Sequence, residues 1–410
     1  MNFENSICKG YGVIKRELTK KLKQSAAQFP VVTVTGPRQS GKTTLVRNTF
    51  KNYDYVSLEL PDERSFAIED PRGFLERFRG PVILDEVQRT PHLFSYIQVM
   101  VDEDDRPGRF ILTGSHNFLL LQSISQSLAG RCAVLNLLPL SISEILERKP
   151  INIETFGKTI PQKIRTPPRS LEEYLFTGFY PRIYAKNLPP RDWFNSYYQT
   201  YLERDVRNVL NVGDIESFNR FVKLCAGRNG QILNFTGLAS DCGVTHTTAR
   251  RWLSVLEASF LIVLLRPYYK NFGKRLIKSP KLYFLDTGLL CFLLGIKKPE
   301  ELLSHSARGT IFESFVLSEL YKNFIHNGEQ PPLYFWRDST GHEIDILIDL
   351  GTSLIPVEVK SAKTIANDFF DGLFYWKKTS GQHKARSVLI YGGEDAFKRS
   401  GVAVYPWFIL

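Results

Sequence analysis

Gly36-Pro37-Arg38-Gln39-Ser40-Gly41-Lys42-Thr43 is a complete GxxxxGK[ST] loop, and its flanks decide how the first part of the chain folds. Val31–Thr35 (VVTVT) precedes it, a short β-branched apolar run of the kind that forms a buried parallel strand. Thr43–Phe50 (TTLVRNTF) follows and reads as the start of a helix. Gly36 and Gly41 let the backbone turn tightly and bring its N–H groups against phosphate oxygens. The helix N-terminus favours the same anion. Lys42 is placed to reach the outer phosphates, and the Thr43 hydroxyl to ligate Mg²⁺. The expected nucleotide contacts are therefore the whole run from Gly36 through Thr44.

A second element is Pro81–Gln88 (PVILDEVQ), an apolar strand closed by two acids. Asp85 is expected to hold Mg²⁺, and Glu86 to orient or deprotonate an attacking water. A helix-capping turn is the plainer use of such a pair. A third strand, Arg109–Leu112, runs into Thr113-Gly114-Ser115. Thr113 and Ser115 are both placed to touch a γ-phosphate or the water; a plain strand-to-turn junction is the alternative. Ser127-Leu-Ala-Gly-Arg131 comes next. Arg131 is a candidate to neutralise transition-state charge, in its own or a neighbouring subunit, or else a solvated surface residue.

Together GPRQSGKTTL, VILDEVQ, ILTGS and SLAGR resemble the AAA-type ATPases of prokaryotes that carry a C-terminal domain of once-unknown function. The likeness continues in Gly178-Phe-Tyr-Pro181 and Tyr201-Leu-Glu-Arg-Asp205, and so covers nearly the whole chain. It implies an ATP- and Mg²⁺-using AAA-type core, a winged-helix middle and a nuclease-like C-terminus, without implying one biological role.

At 410 residues the chain is long enough for two or three domains. A hydrophobic content of 43% supports packed cores and excludes a disordered chain. The net charge of +11 attracts polyanions, nucleic acid before anionic membrane, although dispersed solvated Lys and Arg have the same sum. The five cysteines are odd in number, far apart and without zinc spacing, which fits a reducing, cytoplasmic setting. No apolar run approaches a membrane span, and the N-terminus lacks the apolar core of a signal peptide.

The chain is α/β. Residues 1–150 read as a parallel-sheet AAA-type domain. Residues 151–170, rich in proline, read as a linker, and 171–228 as a helical region. Within it Trp193–Leu210 reads as one long amphipathic helix. Its aromatics Trp193, Tyr197, Tyr198 and Tyr201 suit packing better than base stacking. Arg204 and Arg207 share a face of that helix and could reach a nucleotide, a neighbouring subunit or nearby acids.

Residues 229–296 read as a winged helix. Leu238 and Ala239 lie in a first short helix with Thr236 as its N-cap; Cys242-Gly243-Val244 turns; Thr245 caps a second helix to about Glu257. Ala249, Trp252, Leu253 and Leu256 face inward. His246, Thr247, Arg250 and Arg251 face outward, as DNA-reading or phosphate-gripping side chains would. Phe260–Leu265 and Lys281–Leu285 fit a wing whose loop carries Tyr268, Tyr269, Lys270, Lys274, Arg275 and Lys278. Packing within an ATPase is the other use of such a unit.

Residues 297–410 read as a restriction-endonuclease-like, PD-(D/E)XK domain. Asp345 is followed after twelve residues by Glu358-x-Lys360. Glu358 and Lys360, two apart on one strand, point to one side. Asp345 and Glu358 are expected to bind Mg²⁺ or Mn²⁺ as a second metal site, Lys360 to stabilise charge or hold water, and Glu313 to add a ligand. The leading expectation is an ATP-hydrolysing, DNA-acting protein, with metal-dependent cleavage left open and homo-oligomers formed through the AAA-type domain. The rivals are an ATP-controlled switch and a DNA-binding regulator whose nuclease-like fold is a binding platform.

Overall fold

In the computed structural model the described residues are 14–115, 127–161, 164–200, 215–268 and 279–410. The Tyr201–Asp205 motif, Arg204, Arg207 and the loop residues Tyr269 to Lys278 lie outside them.

Five strands form the first sheet: β1 (Val31–Thr35), β2 (Asp54–Ser57), β3 (Val82–Asp85), β4 (Phe110–Thr113) and β5 (Cys132–Asn136). Their order is β2-β3-β4-β1-β5 and every pairing is parallel. β1, β3 and β4 are buried at every position, as strands covered on both faces must be. Alternation along them sorts the two cores. Val32, Val34, Ile83 and Ile111 pack with Leu18, Leu22, Leu45 and Val46 from the helices Leu18–Ala26 and Lys42–Thr49. Val31, Val82, Leu84, Phe110 and Leu112 pack with Leu93, Phe94 and Ile97 of the helix Leu93–Glu103 on the other side. All five strands end at the edge where the phosphate loop begins.

The middle of the chain is helical. Ser170 and Glu173 cap the helix Leu171–Thr177 reciprocally. The stretch before it contains no helix or strand among the described residues, yet it is held down: Tyr405 accepts from the Gly157 N–H at 3.1 Å and donates to the Thr159 carbonyl at 2.7 Å. Trp193 stacks on Tyr197 and leans on Tyr180, so these aromatics are packing groups. The helix Pro190–Tyr197 opens this stretch, and the expected helix beyond residue 200 lies outside the described residues.

Helices Phe235–Cys242 and His246–Ala258 flank Gly243, whose φ of 70° makes the turn. Thr245 caps the second, accepting from the Thr248 N–H at 3.1 Å. The first is capped by Asn234, not Thr236: Asn234 Oδ1 accepts from the Gly237 N–H at 3.0 Å, which places the helix start two residues earlier.

The strands after them do not stand alone. β6 (Ile262–Pro267) and β7 (Lys281–Phe284) pair antiparallel, and β6 also pairs with β8 (Leu333–Arg337). With β9 (Glu343–Asp349), β10 (Leu354–Lys360), β11 (Ser387–Tyr391), β12 (Phe397–Arg399) and β13 (Val402–Pro406) they form one eight-stranded sheet, ordered β12-β13-β11-β10-β9-β8-β6-β7. β8, β9 and β10 are an antiparallel meander. After the helix Asp371–Ser380, β11 returns parallel to β10.

The helix Arg308–His326 touches both sheets, through β5 and β10. Phe315 is fully buried on it, stacked on Phe179 at 5.6 Å and edge-on to Trp407 at 6.0 Å. Phe315→Ala should therefore open a cavity where the middle and C-terminal parts meet and cost about 3–5 kcal/mol. Urea unfolding reads this; an unchanged midpoint would show that the ring packing carries no stability.

Candidate functional site

The phosphate loop is shaped by close approach. Gly36 has φ 147°, and a Cβ there would lie 2.1 Å from the Leu137 carbonyl oxygen. Gly41, at φ 95°, is the N-cap of the helix Lys42–Thr49 and has no side chain to cap its first N–H groups. Lys42 is buried and turned back on the loop, donating to the Gly36 and Pro37 carbonyls at 3.1 and 3.0 Å. Burial pulls its pKa down to about 8, against the opposing charges of Glu86 and Asp85.

Asp85 collects hydroxyls from three elements. Thr43 Oγ1 donates to it at 2.9 Å, Tyr55 from β2 donates at 2.9 Å, and Thr113 at the end of β4 donates as well. Of the two polar residues expected after β4, the structure brings Thr113 to the acid; Ser115 is half-buried two residues further on. Tyr55 had no sequence signal, because its role depends on β2 lying beside β3. Burial, then Asp85, raises its phenol to about 12, so it remains a donor. Glu86 follows in left-handed geometry, φ 58° and ψ 42°, with its carboxylate taking a hydrogen bond from Gln88.

Lys42, Thr43, Thr44, Arg38, Gln39 and Glu86 line one cleft of about 910 Å³. Its rim is strongly basic, with Lys15, Lys23, Lys51, Arg182 and Lys186 beside Arg38. Arg182 follows the GFYP motif, whose Pro181 packs near Gly41. Arg16 forms the floor: it donates to the Ser40 carbonyl at 2.7 Å, the Leu138 carbonyl at 2.6 Å and Glu144 at 3.0 Å. Sequence reading missed Arg16 and Arg182, since neither sits in a spacing that marks it.

Arg131 is not at this cleft. It precedes β5, whose first residue pairs with Val31 at the start of β1, while the loop leaves the end of β1. A five-residue strand separates them, about 16 Å. Arg131 is ion-paired with Asp102 on the helix Leu93–Glu103. The intramolecular role expected as one alternative is thereby removed on geometric grounds.

A second cluster lies on the C-terminal sheet. The β9–β10 register pairs Val357 with Ile346, and one further step sets Glu358 opposite Asp345. Asp345 Oδ2 accepts from the Val359 N–H at 2.8 Å, and Lys360 donates to Glu358 Oε1 at 2.6 Å. Glu358 Oε2 is buried without a hydrogen-bond partner among the described residues, a donor atom suited to a cation. Glu313 points here from the helix Arg308–His326. Its carboxylate is held by the Tyr283 hydroxyl and by Lys281. Burial raises Glu358 to about 8 and Glu313 to about 7, with Asp345 adding to both. Lys281, Tyr283 and Glu343 were missed, because their partners are distant in sequence.

His246, Thr247, Arg250 and Arg251 are all exposed on the second helix of the middle pair, and Ala249, Trp252, Leu253 and Leu256 are buried beneath them. Arg250 lies over the Phe235 ring at 5.0 Å. No helix among the described residues is long and apolar enough to cross a membrane.

Residues 28–146 match the family described as AAA domain. Residues 168–300 and 308–410 match two domains of unknown function, DUF8612 and DUF4143. Uncharacterized proteins of Mycobacterium bovis and Mycobacterium tuberculosis are each 30% identical over 394 residues, covering 95% of this chain and 82% of the relative. Among solved structures, the Walker-type ATPase of Pyrococcus abyssi aligns over 68% of this chain and 96% of its own, at 16% identity and a TM-score of 0.40.

Polyphosphate at this loop is expected to be held by the Lys42 ammonium. Above about pH 8 the free protein increasingly holds this group neutral. Nucleotide affinity should then fall by up to about tenfold per pH unit, with a proton taken up on binding. Lys42→Arg stays charged and should lose this dependence. Calorimetry in buffers of different ionisation enthalpy checks it; affinity that is flat through this range in the wild type would overturn it.

Proposed function

The chain belongs to the same family as its two mycobacterial relatives and carries an AAA domain over residues 28–146, and on that premise we propose an ATP-hydrolysing protein that acts on DNA. The observation that carries the ATPase reading is the Thr43–Asp85 hydrogen bond, which joins the phosphate loop to the acid strand at one point. Gly36 lets the start of the loop lie against the Leu137 carbonyl, where a side chain has no room, and Thr43 with Asp85 offers the donor set for Mg²⁺. When bound, Mg²⁺ would offset phosphate charge. Lys42 would bind the outer phosphates, Thr113 would hold Asp85 in position, and Glu86 would take the proton of the attacking water. Arg131 fits as a charge donor only to the cleft of a neighbouring copy, which implies a homo-oligomer.

The DNA reading rests on the exposed His246, Thr247, Arg250 and Arg251 and on the +11 charge. For the C-terminal cluster, the order helix, three-stranded meander, helix and parallel strand supports a PD-(D/E)XK fold, and the orphaned Glu358 oxygen supports a bound Mg²⁺ or Mn²⁺. A non-cleaving platform under ATP control is the second reading. It is favoured by Lys360, which is ion-paired to Glu358 and not free.

Glu86→Gln should keep nucleotide binding and slow hydrolysis about 10²-fold or more, because shape is retained and the base is lost. A turnover near wild type would remove Glu86 from the mechanism. For DNA, Arg250→Ala with Arg251→Ala should weaken binding and lower the slope of log affinity against log salt by about 0.9 for each phosphate that is no longer neutralised. Binding isotherms over a salt series, and ATPase rates with single-stranded, duplex and branched DNA, read both effects. An unchanged slope together with DNA-independent ATP turnover would favour the switch.

A further inference from the structure

Lys281 opens β7 and is buried, with its ammonium inside a group of carboxylates. Its Nζ lies 3.4 Å from Glu313 and in close contact with Glu343. Tyr283, two residues on and on the same strand face, donates to Glu313 as well. The ammonium also faces the rings of Tyr283 and Phe335, at 6.0 and 5.5 Å. A buried ammonium is costly unless paired, and here helix, β7 and β9 all converge to pair it.

We propose that Lys281 is a built-in cation: it fills the Glu313–Glu343 half of the acidic cluster, so that the cluster takes one divalent metal ion, at Asp345 and Glu358, and not two. The inference rests on the reading that Asp345 and Glu358 hold a metal.

Charge supports it. Once a metal ion has displaced the protons of Glu313 and Glu358, the four carboxylates Glu313, Glu343, Asp345 and Glu358 face three cations: Lys281, Lys360 and Arg337, which donates to Glu343 at 3.1 Å. One negative charge is left over. A single divalent ion turns this into one positive charge, which matches one phosphodiester. Geometry supports it as well. Glu313 and Glu343 are both engaged by Lys281, whereas Glu358 Oε2 is buried with no hydrogen-bond partner among the described residues. A two-metal arrangement sets its ions about 3.5–4 Å apart, each needing its own carboxylates, and Lys281 already occupies the second set. Glu313 is thus a partner of Lys281 in this structure, and its expected role as a metal ligand is displaced.

The test uses the full chain without nucleotide, with Mn²⁺ as the probe. Binding is counted by electron paramagnetic resonance and calorimetry in wild type, Glu358→Gln, Lys281→Met and the double variant Lys281→Met/Glu313→Gln. Melting temperature is recorded with and without Mn²⁺. The wild type should bind one Mn²⁺ more than Glu358→Gln. Lys281→Met should bind one more than wild type, melt lower without metal, and recover most of that loss with Mn²⁺, because the ion takes the place of the ammonium. The double variant should return to the wild-type count. Equal counts in Lys281→Met and wild type, or two ions in the wild-type cluster, would overturn the proposal. So would a Lys281→Met chain that stays unfolded in excess Mn²⁺. Equal counts in wild type and Glu358→Gln would instead show that the cluster holds no metal, which is failure of the underlying reading.

Discussion

Arg16 holds the phosphate loop to the rest of the molecule. One guanidinium satisfies the Ser40 and Leu138 carbonyls and pairs with Glu144, and all of these groups are buried. Glu144 also accepts the Glu17 and Ser141 N–H groups at 2.7 and 3.0 Å. Two residues earlier in the chain, the Ile142 N–H donates to Glu319 at 2.7 Å, and Lys322 donates to the Leu140 carbonyl at 2.9 Å. The segment after β5 is therefore gripped on one side by the N-terminal arm and on the other by the helix Arg308–His326. Burial alone would raise the Glu17 carboxyl; His326, Ser143 and Ser141 more than offset this and hold it below its ordinary value. Such a network is costly to break at any single member, since each remaining charge is left buried and unpaired.

That frame makes the helix Arg308–His326 a member of two sites. Glu313 faces the acidic cluster, and Glu319 and Lys322 face the ATPase sheet. The two groups are separated by roughly 9–14 Å of helix, at 1.5 Å per residue. With Phe315 packed between them against Phe179 and Trp407, the helix is fixed along its length. The nucleotide cleft and the acidic cluster are in this sense built on one rigid element, although their residues lie far apart in sequence.

What was legible in the sequence is what local chemistry dictates. The β-branched run, the glycines and the lysine mark strand, loop and helix start within a few residues, and the structure places them so. Thr245 caps its helix for the same local reason, and the inward face from Ala249 to Leu256 follows from period alone. Asp345 and Glu358 come opposite each other because strand spacing carries the register. The misses are non-local. Tyr55 matters because β2 lies next to β3, Arg16 because β5 is followed by a turn back under the loop, and Lys281 because β7 shares a sheet with β9. Arg131 reads well in a motif, but only sheet polarity shows that it faces away from its own cleft. Thr236 and Asn234 are both good caps, and the choice turns on where the first helical residue falls.

Glu86 shows how the acid strand meets two demands at once. β3 must end with the Asp85 carboxylate among the hydroxyls of Thr43, Tyr55 and Thr113. The chain must then turn at once into Val87–Arg89, because Val87 is buried in the core beneath the sheet. One residue in left-handed geometry between them satisfies both, and Glu86 is that residue. For a residue with a Cβ this conformation costs about 1–2 kcal/mol. Glycine would remove the strain and with it the only carboxylate that lines the cleft beside Lys42 and Thr43 among those at the end of β3. The strain is thus confined to the position where the side chain has chemical use, and Gln88 holds that side chain by a hydrogen bond two residues on.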